Sequence, residues 1–154
     1  MNISVITALS QREQLLDPSV KEELDSIQQA VDRLDPQLEE GKVYFLFVKG
    51  LYRHSSRKMT TACLFINMLD EAICELHGVL RIRLENRSAV VAKTTIDFDK
   101  DFMGECRPRE ALLVHLNIPV KGLSSDETIS AGQAQSSFDE VRVSFINQET
   151  EAEK

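Results

Sequence analysis

The sequence predicts an α+β fold: a mainly antiparallel sheet of about five strands, with a central amphipathic helix and an N-terminal helix packed on it. Three observations carry that reading. Val43-Tyr44-Phe45-Leu46-Phe47-Val48 is a run of β-branched, aromatic and Leu residues between Gly41 and Gly50, the composition of a strand covered on both faces. Ala62, Phe65, Ile66, Leu69, Ile73 and Leu76 recur at spacings of three and four, which is one face of a helix. Beyond residue 78, four short strand-like stretches joined by short links suggest antiparallel pairing.

In chain order, Ile3 to Leu9 is an apolar patch without clear period, a terminal strand or a docking arm. Asp17-Pro18-Ser19 supplies caps and a first-turn proline, and Ser19 with Glu22 has capping-box spacing. Val20, Leu24, Ile27, Val31 and Leu34 then form an apolar stripe, ended by Asp35-Pro36. The stripe is laid on the domain or on another subunit, and the opposite, acidic face is solvated. After the aromatic strand, Ser55 or Ser56 caps a helix starting near Arg57. His77 and Gly78 supply its stop, since glycine accepts the left-handed conformation there.

Leu80, Ile82 and Leu84 alternate with Arg81 and Arg83, a half-buried strand. Glu85 to Ser88 reads as a turn and Val90 to Phe98 as the returning strand, so residues 79–98 form a hairpin. Asp97 to Asp101 is an acidic connection, and Gly104 to Pro108 a loop. Ala111 to Ile118 is a strand stopped by Pro119. Residues 121–137 are small and polar, as in a mobile loop, and Val141, Val143 and Phe145 alternate in a last strand. The expected organisation is an N-terminal helical arm over 1–40, an α+β core over 41–147 and a disordered acidic tail over 148–154.

With 154 residues, 42% apolar and 28% charged, the chain has ordinary globular composition. No apolar run is long enough to cross a bilayer, and the start lacks a charged segment followed by an apolar one. The reading is intracellular, with no transmembrane segment and not secreted. Three unpaired-looking cysteines fit a reducing compartment. The net charge of −7 is unevenly placed: residues 1–41 sum to −6, residues 42–109 to +4 and residues 110–154 to −5. That argues against indiscriminate nucleic-acid binding and leaves room for one local basic site.

That site is Lys49-Gly50-Leu51-Tyr52-Arg53-His54-Ser55-Ser56-Arg57-Lys58, four bases and a histidine with no acid. Leading into a helix N-terminus, it would attract phosphate groups of RNA or of anionic lipid. The contact residues are Lys49, Arg53, Arg57 and Lys58, extended by Arg81 and Arg83 (with Arg87) if the hairpin lies alongside. Tyr52 is the one aromatic placed to stack a base. The plainer reading is a solvated basic loop. Cys63, Cys74 and Cys106 lack the close spacing of zinc ligands, and Asp97, Asp99 and Asp101 lack the glycine and distal glutamate of a calcium loop. No glycine-rich phosphate loop or nucleophile elbow occurs, so no metal, cofactor, catalytic residue or small-molecule substrate is expected.

The strand Lys42 to Lys49, the exit Tyr52-Arg53-His54-Ser55, the helix after it and the late strand Glu140 to Asn147 together resemble the matrix proteins of rhabdoviruses and related mononegaviruses. The resemblance covers about residues 42–147 as a pattern of elements. It implies a non-enzymatic viral structural protein that self-associates in virion assembly, contacts the nucleocapsid and lies peripherally on anionic membrane. The chain departs from that pattern in its acidic start and in lacking Pro-Pro-x-Tyr and Pro-Thr/Ser-Ala-Pro motifs.

The expectation is therefore a non-enzymatic, homo-oligomeric assembly protein of matrix type, found in the cytoplasm and in the virion. The alternative is an intracellular adapter that binds a protein partner through its acidic N-terminal helix. A third reading, an enzyme whose site is assembled from scattered residues, has no motif behind it.

Overall fold

A computed structural model describes residues 3–7, 18–34, 38–84, 91–130 and 133–146, with the side chains of 7, 18–21, 34, 91 and 92 outside the description. Eight strands and two helices follow in the order β1 (Ser4–Thr7), α1 (Pro18–Leu34), β2 (Val43–Arg53), β3 (Lys58–Asn67), β4 (Ile73–Leu84), β5 (Val91–Phe98), α2 (Lys100–Met103), β6 (Glu110–Pro119), β7 (Glu127–Ser130) and β8 (Ala134–Phe145). The fold is α+β and rich in antiparallel pairing. It has more strands than the five expected.

The strands divide between two sheets, one ordered β1-β6-β3-β2-β7 and the other β5-β4-β8. Only β1 and β6 pair in parallel; every other described neighbour is antiparallel. The sheets face each other across a core that joins Phe47, Cys63, Phe65, Leu112 and Val114 of the larger sheet to Leu76, Leu80, Ile82, Ile96 and Phe98 of the smaller. Edge-to-face rings tie it together, Phe65 lying 5.2 Å from Phe45, 5.4 Å from Phe98 and 5.3 Å from Phe138.

A second core lies on the other side of the larger sheet, where Ile27 and Val31 of α1 join Ile3, Ala62, Leu64, Ile66, Ala111 and Leu113. Leu24, Ile27 and Val31 of the helical stripe read from the sequence thus pack against the chain's own sheet. Gln28 fastens helix to strand: its side-chain oxygen accepts from the Val5 amide at 2.9 Å, and its amide group donates to the Ile3 carbonyl at 2.6 Å. The caps expected around Asp17 and Ser19, the stop at Asp35-Pro36, the turn Glu85 to Ser88 and the acidic tail fall outside the described side chains and residues.

The central helix is corrected. Residues 58–67 form β3, 68–72 a turn and 73–84 the strand β4. β3 lies inside the larger sheet, and its alternate residues enter different cores: Ala62, Leu64 and Ile66 under α1, Cys63 and Phe65 against the smaller sheet. Burial on both faces gives an unbroken apolar run, from which a three-and-four spacing can be picked as readily as a two-residue one.

Asn67 ends the strand. Fully buried, it accepts from the Leu69 amide at 2.9 Å and donates to the carbonyls of Glu71 and Cys106, both at 3.0 Å. This side chain closes the turn as a backbone group would. Gly78 is no helix stop but a mid-strand residue of β4, where a Cβ would stand 2.5 Å from Cε1 of Phe138 and 3.0 Å from the Asp139 carbonyl oxygen. Glycine there lets the β8 bulge, with Glu140 at a φ of 55°, close onto β4.

The hairpin of residues 79–98 is present, with Leu80 opposite Thr94 and Ile82 opposite Ala92. The region expected as one polar loop, 121–137, instead holds β7 and the start of β8. Its strands are short or edge-lying and carry Ser, Thr and Gln on their open faces, which is why they read as loop.

Candidate functional site: a basic tip and an adjoining groove

The β2–β3 hairpin reverses at His54–Arg57 with Arg53 opposite Lys58. The Arg57 amide donates to the Arg53 carbonyl at 2.9 Å, and Arg57 itself sits at a φ of 56°, the left-handed region. No helix starts here, so the expected gift of free helix N-terminal amides to an anion is withdrawn. Ser55 and Ser56 are turn residues rather than caps. What remains is a turn that projects side-chain cations.

Asp126 braces that turn from the loop before β7. Its carboxylate accepts from the His54 amide at 2.8 Å and lies 3.7 Å from the Arg53 guanidinium. Arg53 is thus partly neutralised. Arg57 and Lys58 are exposed and make no ion pair among the described residues. Lys58 stands opposite Pro119, and the Val120 amide donates to the Arg57 carbonyl at 3.0 Å, which brings the exposed Lys121 to the same tip. The sequence reading missed Lys121, which lies 63 positions beyond Lys58 and meets it only through the β3–β6 ladder.

Tyr52 is not available to stack a base. It is 2% exposed, packs in the inter-sheet core and sets its hydroxyl 3.2 Å from His54 Nδ1. Arg81 and Arg83 project from β4, in the other sheet, and do not extend the tip. Arg81 pairs with Asp139 at 3.3 Å and has Lys93 opposite on β5, whereas Arg83 is exposed beside Gln135 of β8.

Lys49 has a third setting. A bulge at Val48 places both residues on the α1 side of β2. There Lys49 joins a groove of about 630 Å³ between the first half of α1 and the sheet, walled by Glu22 and Glu23 and floored by Val48, Leu51 and Ala62. His115, at its inner side, lies 3.3 Å from the Glu23 carboxylate. The groove combines acid, base and hydroxyl groups.

The cysteines sit elsewhere. Burial pushes the Cys63 thiol up to about 12, against a hydrogen bond with Thr61 that lowers it. Burial and then the charge of Glu110 push Cys106 up to about 12. Both are held as thiols at neutral pH, the opposite of an activated nucleophile. Asp97 lies 2.5 Å from His77, and Asp99 caps α2 by accepting from the Phe102 amide at 2.8 Å, so the acidic connection is used structurally. Among the described residues no cluster of three or more His, Cys, Asp or Glu side chains is placed to hold a metal, and no helix is long and apolar enough to cross a membrane. No family model, curated protein or solved structure matches this chain.

Proposed function

We propose that this is a non-enzymatic, self-associating assembly protein of the viral matrix type, which sets a basic tip against an anionic membrane. One observation carries the reading: two separate loops converge to put Arg57, Lys58 and Lys121 at one end of the larger sheet, exposed and without ion pairs among the described residues. In a chain of net charge −7 such a concentration of unneutralised cations is the surface best suited to anionic headgroups. Each cation near such a membrane contributes about 1 kcal/mol, so three give useful but reversible attachment.

The test is co-sedimentation with vesicles of mixed phosphatidylcholine and phosphatidylserine. Arg57→Ala, Lys58→Ala and Lys121→Ala combined should lose most of the binding and keep the thermal unfolding of the parent, and the parent's binding should fall steeply with salt. Equal binding by parent and triple variant would remove the tip from the account. Binding to RNA but not to vesicles would turn the reading towards the nucleocapsid.

The adapter reading draws its support from the groove, because Glu22 and Glu23 of the acidic helix form its wall. A partner docking there would contact α1 and β2 together. Glu22→Gln with Glu23→Gln should then abolish its capture, while the Arg57, Lys58 and Lys121 triple variant keeps it.

A further inference from the structure

The smaller sheet sets like charges against each other on its outward face. Lys93 of β5 stands directly opposite Arg81 of β4, and Arg83 follows on the same face. Like charges at directly opposed positions destabilise a sheet. The acids nearby do not relieve all of it. Asp139 holds Arg81 at 3.3 Å, while Glu75 and Asp97 both lie against His77. Arg83 and Lys93 are exposed and make no ion pair among the described residues.

On β8, Ser137 stands opposite Arg81 and Gln135 opposite Arg83. With Ser136 and Ile82, these residues line a hollow of about 400 Å³. Its walls hold two guanidinium groups, two hydroxyls and an amide, and no carboxylate.

We propose that this hollow binds a phosphate monoester group, held between Arg81 and Arg83 over the β8 hydroxyls and facing Lys93. Charge selects this occupant. Three cations less Asp139 leave two positive charges, and a phosphate monoester carries a charge of about −2 near neutral pH. Geometry agrees with it. Residues two apart on a strand are about 7 Å apart, so one phosphate lies within reach of both guanidinium forks, whose planar donors match its oxygens. Asp139 engages only Nη1 of Arg81, which leaves the other donors of that group for the ligand. A bound dianion turns the repulsion between Arg81 and Lys93 into a shared attraction. This site belongs to the smaller sheet and stands whether or not the basic tip of the larger sheet meets a membrane. Its ligand is a soluble phosphorylated molecule or a phosphorylated lipid headgroup, and two probes separate them.

The first probe is inorganic phosphate, titrated into the labelled protein at constant ionic strength and followed by nuclear magnetic resonance. Saturable shifts are expected at the amides of Arg81–Arg83 and Gln135–Ser137. Arg83→Ala with Lys93→Ala should weaken that binding by at least about tenfold. Both side chains are exposed, so the double variant should keep the parent's unfolding midpoint in chloride. The second probe is vesicles of phosphatidylcholine with phosphatidylinositol 4-phosphate, added to the Arg57, Lys58 and Lys121 triple variant so that the tip contributes nothing. Vesicle binding that Arg83→Ala with Lys93→Ala removes assigns the site to a lipid headgroup. Saturable phosphate binding without vesicle binding assigns it to a soluble ligand. Phosphate shifts that are absent, confined to the tip or unchanged in the double variant overturn the site and leave the reading of the tip untouched.

Discussion

β3 and β4 are the middle strands of their sheets, yet they are buried in different ways. All residues of β3 from Thr61 to Asn67 are buried, because α1 covers one face and the smaller sheet the other. β4 from Leu76 onward alternates between buried and more open positions, because among the described residues no helix covers its far face. One added layer therefore decides whether a strand shows its period in the sequence. It also decides what a substitution on the outward face does.

The comparison is sharpest at matched outward positions. Leu64 of β3 is fully buried under α1, so Leu64→Ala should cost about 2–5 kcal/mol in urea unfolding. Arg83, outward on β4, is exposed, so Arg83→Ala should stay within about 0.5 kcal/mol. Similar losses at both positions would mean that α1 does not seal the larger sheet.

Gly78 tests the covered face of β4. A methyl group there meets the Phe138 ring, which is wedged against Phe45 and Phe65. Gly78→Ala should cost about 1–3 kcal/mol, and an unchanged midpoint would show that ring free to move aside.

The smallest effect separates the strands by pH. The Cys63 thiol is raised from 9.0 to about 12 in the fold. An unfolded thiol releases its proton first, so this stabilisation is complete below about pH 9 and is lost as pH rises towards 12. Cys63→Ala should flatten the alkaline decline of stability, and native Cys63 should resist thiol reagents at pH 8. Rapid labelling there would mean that β3 opens.

How much was legible follows the same logic. The stripe Leu24, Ile27 and Val31 reads directly from sequence because a helix on a sheet is covered on one side. The hairpin at Leu80–Leu84 reads directly for the same reason. The aromatic strand was recognised but stopped short, since Lys49, Leu51 and Arg53 turn outward while Tyr52 turns in. β3 was misread because two-sided burial erased its alternation.

The one local clue to β3's end was Asn67, a polar residue adjoining the apolar face and followed by Asp70-Glu71. At the tip, Lys49, Arg53, Arg57 and Lys58 were named from their density in the sequence. The structure divides them: Arg57 and Lys58 without an ion pair among the described residues, Arg53 braced by Asp126, Lys49 in the groove. Lys121 carried no signal, because its place depends on a ladder between distant strands.

Every placement above depends on residues 57–76 being strand, turn and strand. Nuclear magnetic resonance of the isotopically labelled protein tests this directly. The fold predicts extended-type Cα shifts over 58–67, an interruption at 68–72, and cross-strand contacts of Leu64 with both Leu46 and Leu113. A continuous run of helical shifts from Arg57 to Leu76 would contradict it and dissolve the basic tip with it.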